Sequence, residues 1–199
     1  MFRDVVIPNN NEKEFAVIAS RLGYKKLYFL YDFSEYNKKD LDIDNIDFEI
    51  GFIVSHKNIN QALKESRLLV AKSSPNDRFL IESKKIKIIY GFEESPRKDH
   101  IHQRASGLNH ILCDIASKNH VSVGFAYSSL INKNPQSVSI TKGRMMQNIS
   151  LCRKYKIKAI IGSFSQNPYE LRSPYDLASI FSIFGMDGKN IKNAMTSEL

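Results

Sequence analysis

Histidine and carboxylate side chains are the groups in this sequence that could support metal-dependent hydrolysis. Such chemistry needs several His, Asp or Glu ligands around one ion and a coordination position left open for water. His100 and His102 have the spacing of two ligands on one strand. Three basic residues surround this pair in the sequence, namely Arg97, Lys98 and Arg104. Because neighbouring positive charge opposes cation binding, we expect a basic loop here and no metal ion.

Nucleophilic catalysis has no better candidates. Ser128 and Ser163 follow predicted strands, but the glycine pattern of a nucleophile elbow surrounds neither of them. Both cysteines fall on apolar faces of predicted helices, where a thiol is a poor nucleophile. Glu93 and Glu94 could act as acid and base, but without a paired site such residues are more often solvated loop charges. The sequence therefore predicts no catalytic residue.

Basic residues offer a better candidate site, one that would bind phosphate groups. Arg104 and Arg172 are near predicted helix starts, and Arg144 falls in the first turn of a predicted helix. The backbone N–H groups and the dipole of a helix favour an anion at this end, whereas a cation gains nothing there. A bound anion would explain the placement. The predicted phosphate contacts are Lys72, Arg97, Lys98, His102, Arg104, Arg144 and Arg172.

Aromatic residues lie near these cations in the sequence. Phe92, Tyr127 and Phe164 could stack on nucleic-acid bases, although packing in the core is the commoner role of such side chains.

Apolar runs that resemble strands recur along the chain, and several of them are apolar at consecutive positions. Strands buried on both faces have this pattern, as in a parallel sheet covered by helices. The predicted strands are residues 4–7, 26–31, 49–54, 67–71, 86–90, 121–127 and 157–162.

Helical patterns fill the gaps between these strands. The strongest local signal is Ser173 as the N-cap, followed by Pro174 in the first turn and Asp176 at the capping-box position. The predicted helices are residues 12–22, 58–66, 76–84, 104–119, 141–155, 174–184 and 188–197.

The alternation of strands and helices indicates the fold class. No Pro-, Gly- or Ser-rich linker interrupts it, which favours one α/β domain over residues 1–199 with a parallel sheet. About seven strands, each followed by a helix, predict a TIM-barrel-like fold that is complete or slightly short. An open doubly wound sheet is the alternative, but no glycine-rich nucleotide loop follows any strand. In such barrels the working surface is the C-terminal end of the strands.

Composition and charge limit the classes of partner. The net charge of +8 and the pI near 9.4 favour polyanions such as nucleic acids. Hydrophobic residues make up 42% of the chain, which excludes wholesale disorder. No apolar run approaches the ~20 residues of a membrane span. We therefore expect a cytoplasmic protein that binds no membrane.

Three segments resemble the RNase P protein component 3 family, the thirty-kilodalton subunit of archaeal and eukaryotic RNase P. They are residues 104–113 (Arg-x-Ser-Gly-Leu-Asn-x-Ile-Leu-Cys), residues 144–155, and residues 170–179 followed by Gly185-Met186. Their order and strand context agree with the family, and the last segment is the most specific. The likeness covers essentially the whole chain except residues 34–47, where we recognise no motif.

This resemblance implies a barrel akin to the polymerase-and-histidinol-phosphatase (PHP) phosphoesterases but without their metal cluster. It implies a subunit, not catalytic by itself, of the ribonucleoprotein that removes the 5′ leader of precursor tRNA. There the RNA subunit, with bound Mg²⁺, carries catalysis. The expected partners are the RNase P RNA, which the seven predicted residues would contact, a Pop5-like subunit and other RNase P proteins. Direct contact with precursor tRNA stays open, and no cofactor is expected on this chain itself.

Two other functions are left open by the sequence. A metal-dependent phosphoesterase of the PHP type would bind Zn, Mn or Fe and would hydrolyse phosphate esters. A purely protein-binding scaffold would show no salt-sensitive affinity for RNA.

Overall fold

Seven parallel strands form one sheet in the part of the chain that the computed structural model describes, which is residues 1–37, 41–100 and 103–199. Each strand pairs with the next one along the chain. The strands are β1 Arg3–Val6, β2 Lys26–Asp32, β3 Asp47–Ile53, β4 Leu69–Lys72, β5 Ile88–Tyr90, β6 Ser122–Ala126 and β7 Ala159–Gly162. All seven lie where the apolar runs predict them.

Among the described residues a helix follows every strand except β2, and the helices surround the sheet. They are α1 Glu12–Leu22, α2 Ile59–Glu65, α3 Asp77–Glu82, α4 His110–Lys118, α5 Pro135–Tyr155, α6 Pro174–Ile183 and α7 Gly188–Thr196. Helix α1 has the predicted bounds, and the Ser173 side chain accepts a hydrogen bond from the backbone N–H of Asp176 at the predicted start of α6.

Two helix starts differ from the prediction. Asn109 caps α4 by accepting from the backbone N–H of Leu112 at 3.0 Å, so this helix starts six residues after the expected Arg104. Asn134 caps α5 by accepting from the backbone N–H of Ser137 at 2.8 Å, six residues before the expected start. Arg144 therefore lies in the middle of α5, and its predicted place in a first turn is wrong.

The two outer strands of the sheet approach each other and nearly close a barrel. Just beyond the end of β7, the backbone N–H of Phe164 donates to the carbonyl of Val5 at 2.7 Å. The N–H of Ile7 donates in turn to the carbonyl of Ser165 at 2.9 Å. The seam between β1 and β7 is thus bridged without a full ladder. The predicted TIM-barrel-like fold is confirmed over the open doubly wound sheet.

The barrel interior is a packed core, as in other barrels of this type, and no pore runs through it. Along β2, Tyr28 and Leu30 point inward, whereas Leu27 and Phe29 pack against the outer helices. The inward-facing residues are Val5, Tyr28, Leu30, Leu68, Val70, Ile88, Tyr90, Ala126, Ile160 and Phe164.

Asp4 stabilises the seam between β1 and β7, and its substitution is expected to destabilise the protein. Its buried carboxylate accepts hydrogen bonds from the backbone N–H of Ser163 at 2.6 Å, from the Ser163 hydroxyl, and from the N–H of Val5 at 2.8 Å. Asp4→Ala leaves these buried donors unpaired and should lower the free energy of unfolding by about 3 kcal/mol, measured by urea denaturation. Asp4→Asn keeps one acceptor and should cost less. Equal stability of Asp4→Ala and wild type would contradict the role of Asp4.

Candidate nucleic-acid interface

A single buried arginine holds the loop between β5 and α4, residues 91–109. The guanidinium of Arg144 reaches this loop from α5 and is only 5% exposed. Its Nη1 donates to the carbonyls of Glu93 at 3.1 Å and Ser95 at 2.6 Å, and its Nη2 donates to the carbonyl of Arg97. Its Nε donates to the carboxylate of Asp99 at 2.9 Å. Arg144 therefore has no free face for a phosphate and instead fixes the path of the loop.

Two further residues of α5 hold the other half of the same loop. The Gln147 amide donates to the carbonyl of Arg104 at 3.2 Å and to the Ser106 hydroxyl at 2.8 Å. The Asn148 amide donates to the carbonyl of Ser106 at 3.0 Å. We call Arg144, Gln147 and Asn148 the α5 clamp. It ties both flanks of the loop to one helix.

Two glycines permit the close approach between the loop and its neighbours. Gly107 has a φ of +82°, and a Cβ there would lie 2.5 Å from the carbonyl oxygen of Phe92. A Cβ on Gly143 of α5 would lie 2.4 Å from the guanidinium of Arg104. Larger residues at these two positions would displace the loop or the Arg104 side chain.

The clamped loop presents cations to solvent. Arg97 and Lys98 are exposed, and the Arg104 side chain is 50% exposed, with its Nη1 3.8 Å from the carboxylate of Asp99. A cleft of about 660 Å³ lies between residues 93–99 and the N-terminal half of α5. We call Arg97, Lys98 and Arg104 the loop cations. A fixed backbone that carries solvent-exposed cations is suited to binding phosphate groups.

Lys72 lies at the mouth of the barrel and also lines, together with Arg97, a neighbouring cleft of about 620 Å³. Its Nζ lies 2.9 Å from the carboxylate of Glu94, which also accepts from Ser129 at 2.8 Å and from Lys133 at 3.2 Å. Burial opposes ionisation of Glu94, but the contacts with Lys72 and Ser129 outweigh it and lower the pKa of Glu94 to about 2. Lys72 is therefore paired with a carboxylate, which it shares with Lys133.

The residues that line the mouth of the barrel have more negative than positive charge. Four carboxylates line it together with Lys72, and they belong to Asp32, Glu35, Glu94 and Glu170. A phosphate would meet repulsion there, so the loop cations lie beside the mouth and outside it.

The remaining predicted contacts are placed as follows. Arg172 is half-buried on the turn before α6, where its Nη1 donates to the carbonyl of Leu171 at 2.8 Å and its guanidinium carbon lies 5.7 Å from the centre of the Tyr127 ring. Arg172 lies on a different element from the loop cations, between β7 and α6. His102 lies outside the described residues.

The aromatic residues considered for base stacking are buried. Phe92, Tyr127 and Phe164 are 0%, 8% and 3% exposed, and Phe164 stacks on Tyr90 with ring centres 4.5 Å apart. Other aromatic side chains do reach solvent, among them Tyr169 and Tyr175, at 75% and 74% exposure. Neither is among the predicted contacts, although the turn signal Asn167-Pro168 precedes Tyr169 and the cap at Ser173 places Tyr175 in the first turn of α6.

A metal site needs several His, Cys, Asp or Glu side chains around one ion. Over residues 1–37, 41–100 and 103–199, no group of three or more His, Cys, Asp or Glu side chains is arranged to hold a metal ion. His56 contacts the Asn76 amide through its Nδ1 at 3.1 Å. Separately, none of the helices in this described part is long and apolar enough to cross a membrane.

Fold and site together define a TIM-barrel-like protein with solvent-exposed cations beside the barrel mouth, on backbone that hydrogen bonds tie to α5. The family described as RNase P subunit p30 matches residues 98–199, and this chain belongs to that family. The matched residues include the α5 clamp and the loop from Lys98 onward. The predicted family resemblance is confirmed.

Individual relatives agree with this assignment. Ribonuclease P protein component 3 of Thermococcus kodakarensis is 33% identical over 81 residues, which cover 41% of this chain and 37% of the relative. The protein of the same name from Methanothermobacter thermautotrophicus is 22% identical over 197 residues, covering 90% of this chain and 78% of the relative. The match thus spans well under half of the Thermococcus protein and most of the Methanothermobacter one.

Solved structures share the fold. A chain in the cryo-EM structure of archaeal Ribonuclease P with mature tRNA has a TM-score of 0.76 and 18% identity, covering 96% of this chain and 86% of that one. The crystal structure of A. niger ochratoxinase has a TM-score of 0.59 and 9% identity, covering 97% and 69%. At these identities the likeness shows the barrel fold alone.

Proposed function

We propose that this chain is a protein subunit of the RNase P ribonucleoprotein, which removes the 5′ leader of precursor tRNA. Membership of the RNase P subunit p30 family is the observation that supports this most strongly. The chain would not be catalytic by itself. The RNA subunit, with bound Mg²⁺, would carry out cleavage, and this chain would bind the RNA and stabilise its active fold.

The proposed partners are the RNase P RNA, a Pop5-like subunit and other RNase P proteins. The similarity to a chain from archaeal Ribonuclease P with mature tRNA supports an assembly of this kind. The loop cations would neutralise RNA phosphates, each releasing counterions as it binds. Because the α5 clamp holds the loop before RNA arrives, little conformational entropy is lost when the phosphates bind.

Reconstituted cleavage tests the proposal. Precursor tRNA is incubated with RNase P RNA at moderate Mg²⁺, first with the Pop5-like subunit alone and then with both proteins. We expect stimulation that requires this chain and disappears when the RNA is omitted. Cleavage without RNA would reveal an active site in the protein, and lack of stimulation with a folded partner would contradict the subunit role.

Removal of two loop cations should weaken RNA binding in a salt-dependent way. In Arg97→Gln/Lys98→Gln, two phosphate contacts are lost, so the slope of log Kd against log salt should fall by about 1.4 to 1.8. The measurement is a binding titration of RNase P RNA at several KCl concentrations. Lys57→Gln/Lys64→Gln is the matched control, since it removes the same charge from exposed sites at α2. An equal change in both variants would show a net-charge effect and not a site.

A further inference from the structure

A second cationic surface lies at the other end of the barrel. Lys156 and Lys158 immediately precede β7, whereas the loop cations follow the C-terminal end of β5, and all strands are parallel. Here a groove of about 410 Å³ runs between the C-terminal end of α5, the start of β7 and α7. We call it the α5–α7 groove. Its floor is formed by Ile149, Cys152, Ile157, Met186 and Ala194.

The exposed rim of this groove is cationic and rich in amides. Arg153, Lys156, Lys158, Asn190 and Asn193 are all exposed. Each floor residue is 7% exposed or less, so the charged and amide ends of the rim are the groups that a ligand would meet first. This surface fits a polyanion with many hydrogen-bond acceptors better than an apolar peptide.

Carboxylates do little to neutralise the rim. Asp187 is the acidic residue that lines the groove, and it accepts from the backbone N–H and side-chain amide of Asn190 at 3.0 and 2.5 Å. Lys158 donates to the carbonyl of Glu198 at 2.7 Å, which leaves its charge uncompensated. Burial, together with the nearby charges of Arg3 and Lys87, lowers the pKa of Lys158. A bound anion would relieve this crowding of positive charge.

The sequence around the groove is rich in basic residues and poor in acidic ones. Between Asp114 and Glu170 there is no acidic residue, whereas eight lysines and arginines occur there, and α5 lies wholly inside this segment. Helix α5 has 21 residues and is about 31 Å long at 1.5 Å per residue. The α5 clamp lies near its middle, beside the loop cations, and Arg153 lies near its C-terminal end.

We propose that the α5–α7 groove binds the phosphodiester backbone of RNA as a second site, separate from the loop cations. This inference rests on the proposed function and deepens it, since both sites would then bind the same RNA. Arg153 and Lys156 would contact phosphates, and Asn190 and Asn193 would donate to phosphate or ribose oxygens. With one site at each end of the barrel, the protein would hold two separate RNA segments at a fixed distance.

A variant that removes charge without weakening the fold tests this site. Lys156 ends α5 in the left-handed conformation, with φ 55° and ψ 38°, which glycine adopts more easily. Arg153→Gln/Lys156→Gly should therefore be about as heat-stable as wild type, since the glycine offsets the loss of Arg153 from the C-terminal turn of the helix. The measurement is a binding titration of RNase P RNA at several KCl concentrations, with Lys57→Gln/Lys64→Gln as the equal-charge control. In the groove variant, and not in the control, the slope of log Kd against log salt should fall by about 1.4 to 1.8, and the affinity for RNA should be several-fold weaker.

The possible results separate the groove from the proposed function. If wild type shows no salt-sensitive affinity for RNase P RNA, the proposed function itself fails. If wild type binds and the groove variant binds equally well, only the groove inference is overturned. It is also overturned if the variant keeps its RNA affinity but no longer assembles with the other protein subunits, since the groove would then be a protein-binding surface. If the groove variant loses no more RNA affinity than the Lys57→Gln/Lys64→Gln control does, the loss is an effect of net charge and the groove is not a site.

Discussion

Arg144→Ala is expected to lower the free energy of unfolding by about 3 kcal/mol, because it removes the donor of four hydrogen bonds that hold the β5–α4 loop. The substitution removes the Arg144 donor from three backbone carbonyls of the β5–α4 loop and from Asp99, which keeps a hydrogen bond from the backbone N–H of Ala105. The loss should be measured by urea denaturation, with Arg144→Lys as the control. A lysine ammonium cannot span all four acceptors, so that variant should fall between alanine and wild type.

Limited proteolysis gives a second measure of the same substitution. Arg97 and Lys98 are trypsin sites on a loop that the α5 clamp holds fixed. Opening of the loop in Arg144→Ala should speed tryptic cleavage there before the barrel core is cut. The RNA affinity of the variant should also fall, because the loop cations lose their fixed positions. Unchanged cleavage and unchanged stability would show that the loop does not depend on Arg144.

Glu93→Gln is expected to stabilise the protein above neutral pH. The Glu93 side chain is 1% exposed, and neither carboxylate oxygen has a well-formed hydrogen bond, although Asn148 lies beside it. Burial, helped by the charge of Glu94, raises the pKa of Glu93 from 4.5 to about 7 against the opposing influence of Lys133 and Asn148. A neutral amide of the same shape removes the cost of ionising this buried group.

The sign of the pH dependence follows from proton uptake. Between pH 4.5 and about 7, the folded protein holds a proton on Glu93 that the unfolded chain has released, so stability falls as pH rises through this range. The full loss is roughly 3 kcal/mol. Urea denaturation at pH 5, 6.5 and 8 should show wild type and Glu93→Gln with similar stability at pH 5. At pH 8 the variant should be more stable by roughly that amount.

Two other carboxylates serve as controls for this titration. Burial raises the pKa of Asp4 to about 6, but Asp4 is present in both proteins, so its contribution cancels in the difference between them. Glu94 is the neighbouring glutamate with the opposite shift, and Glu94→Gln should destabilise the protein at pH 7 because it breaks the ion pair with Lys72. If Glu93→Gln is no more stable than wild type at pH 8, folding does not raise the pKa of Glu93, and the prediction is wrong.

The fold could be predicted from sequence because its signals are local. Each buried strand is a run of consecutive apolar residues, such as 27–30 in β2, and such runs need no knowledge of their neighbours. The N-cap of α6 at Ser173 could also be predicted from neighbouring residues in the sequence. The start of α5 was missed although Asn134-Pro135 is itself a cap followed by a first-turn proline. The polar first turns of that helix hid its apolar stripe, which begins only near Thr141.

The candidate site was harder to predict because its charges are paired in three dimensions. Lys72 looks like a free cation in the sequence, yet it pairs with Glu94, which is 22 positions away. Arg144 looks like a phosphate ligand, yet its acceptors are mostly backbone carbonyls, which every residue has. Phe92 and Phe164 follow strands and face the core. Sequence patterns show residue type and spacing, whereas burial of a cation depends on tertiary contacts.

The Arg144 contacts have a consequence for how this surface can evolve. Three of its four acceptors are peptide carbonyls, of Glu93, Ser95 and Arg97, so the shape of the loop depends little on the side chains at Ser95 and Arg97. Substitution at those positions can alter the charge presented to a partner while the main chain keeps its course. The protein can thus acquire a new recognition surface by point mutation without rebuilding the scaffold beneath it.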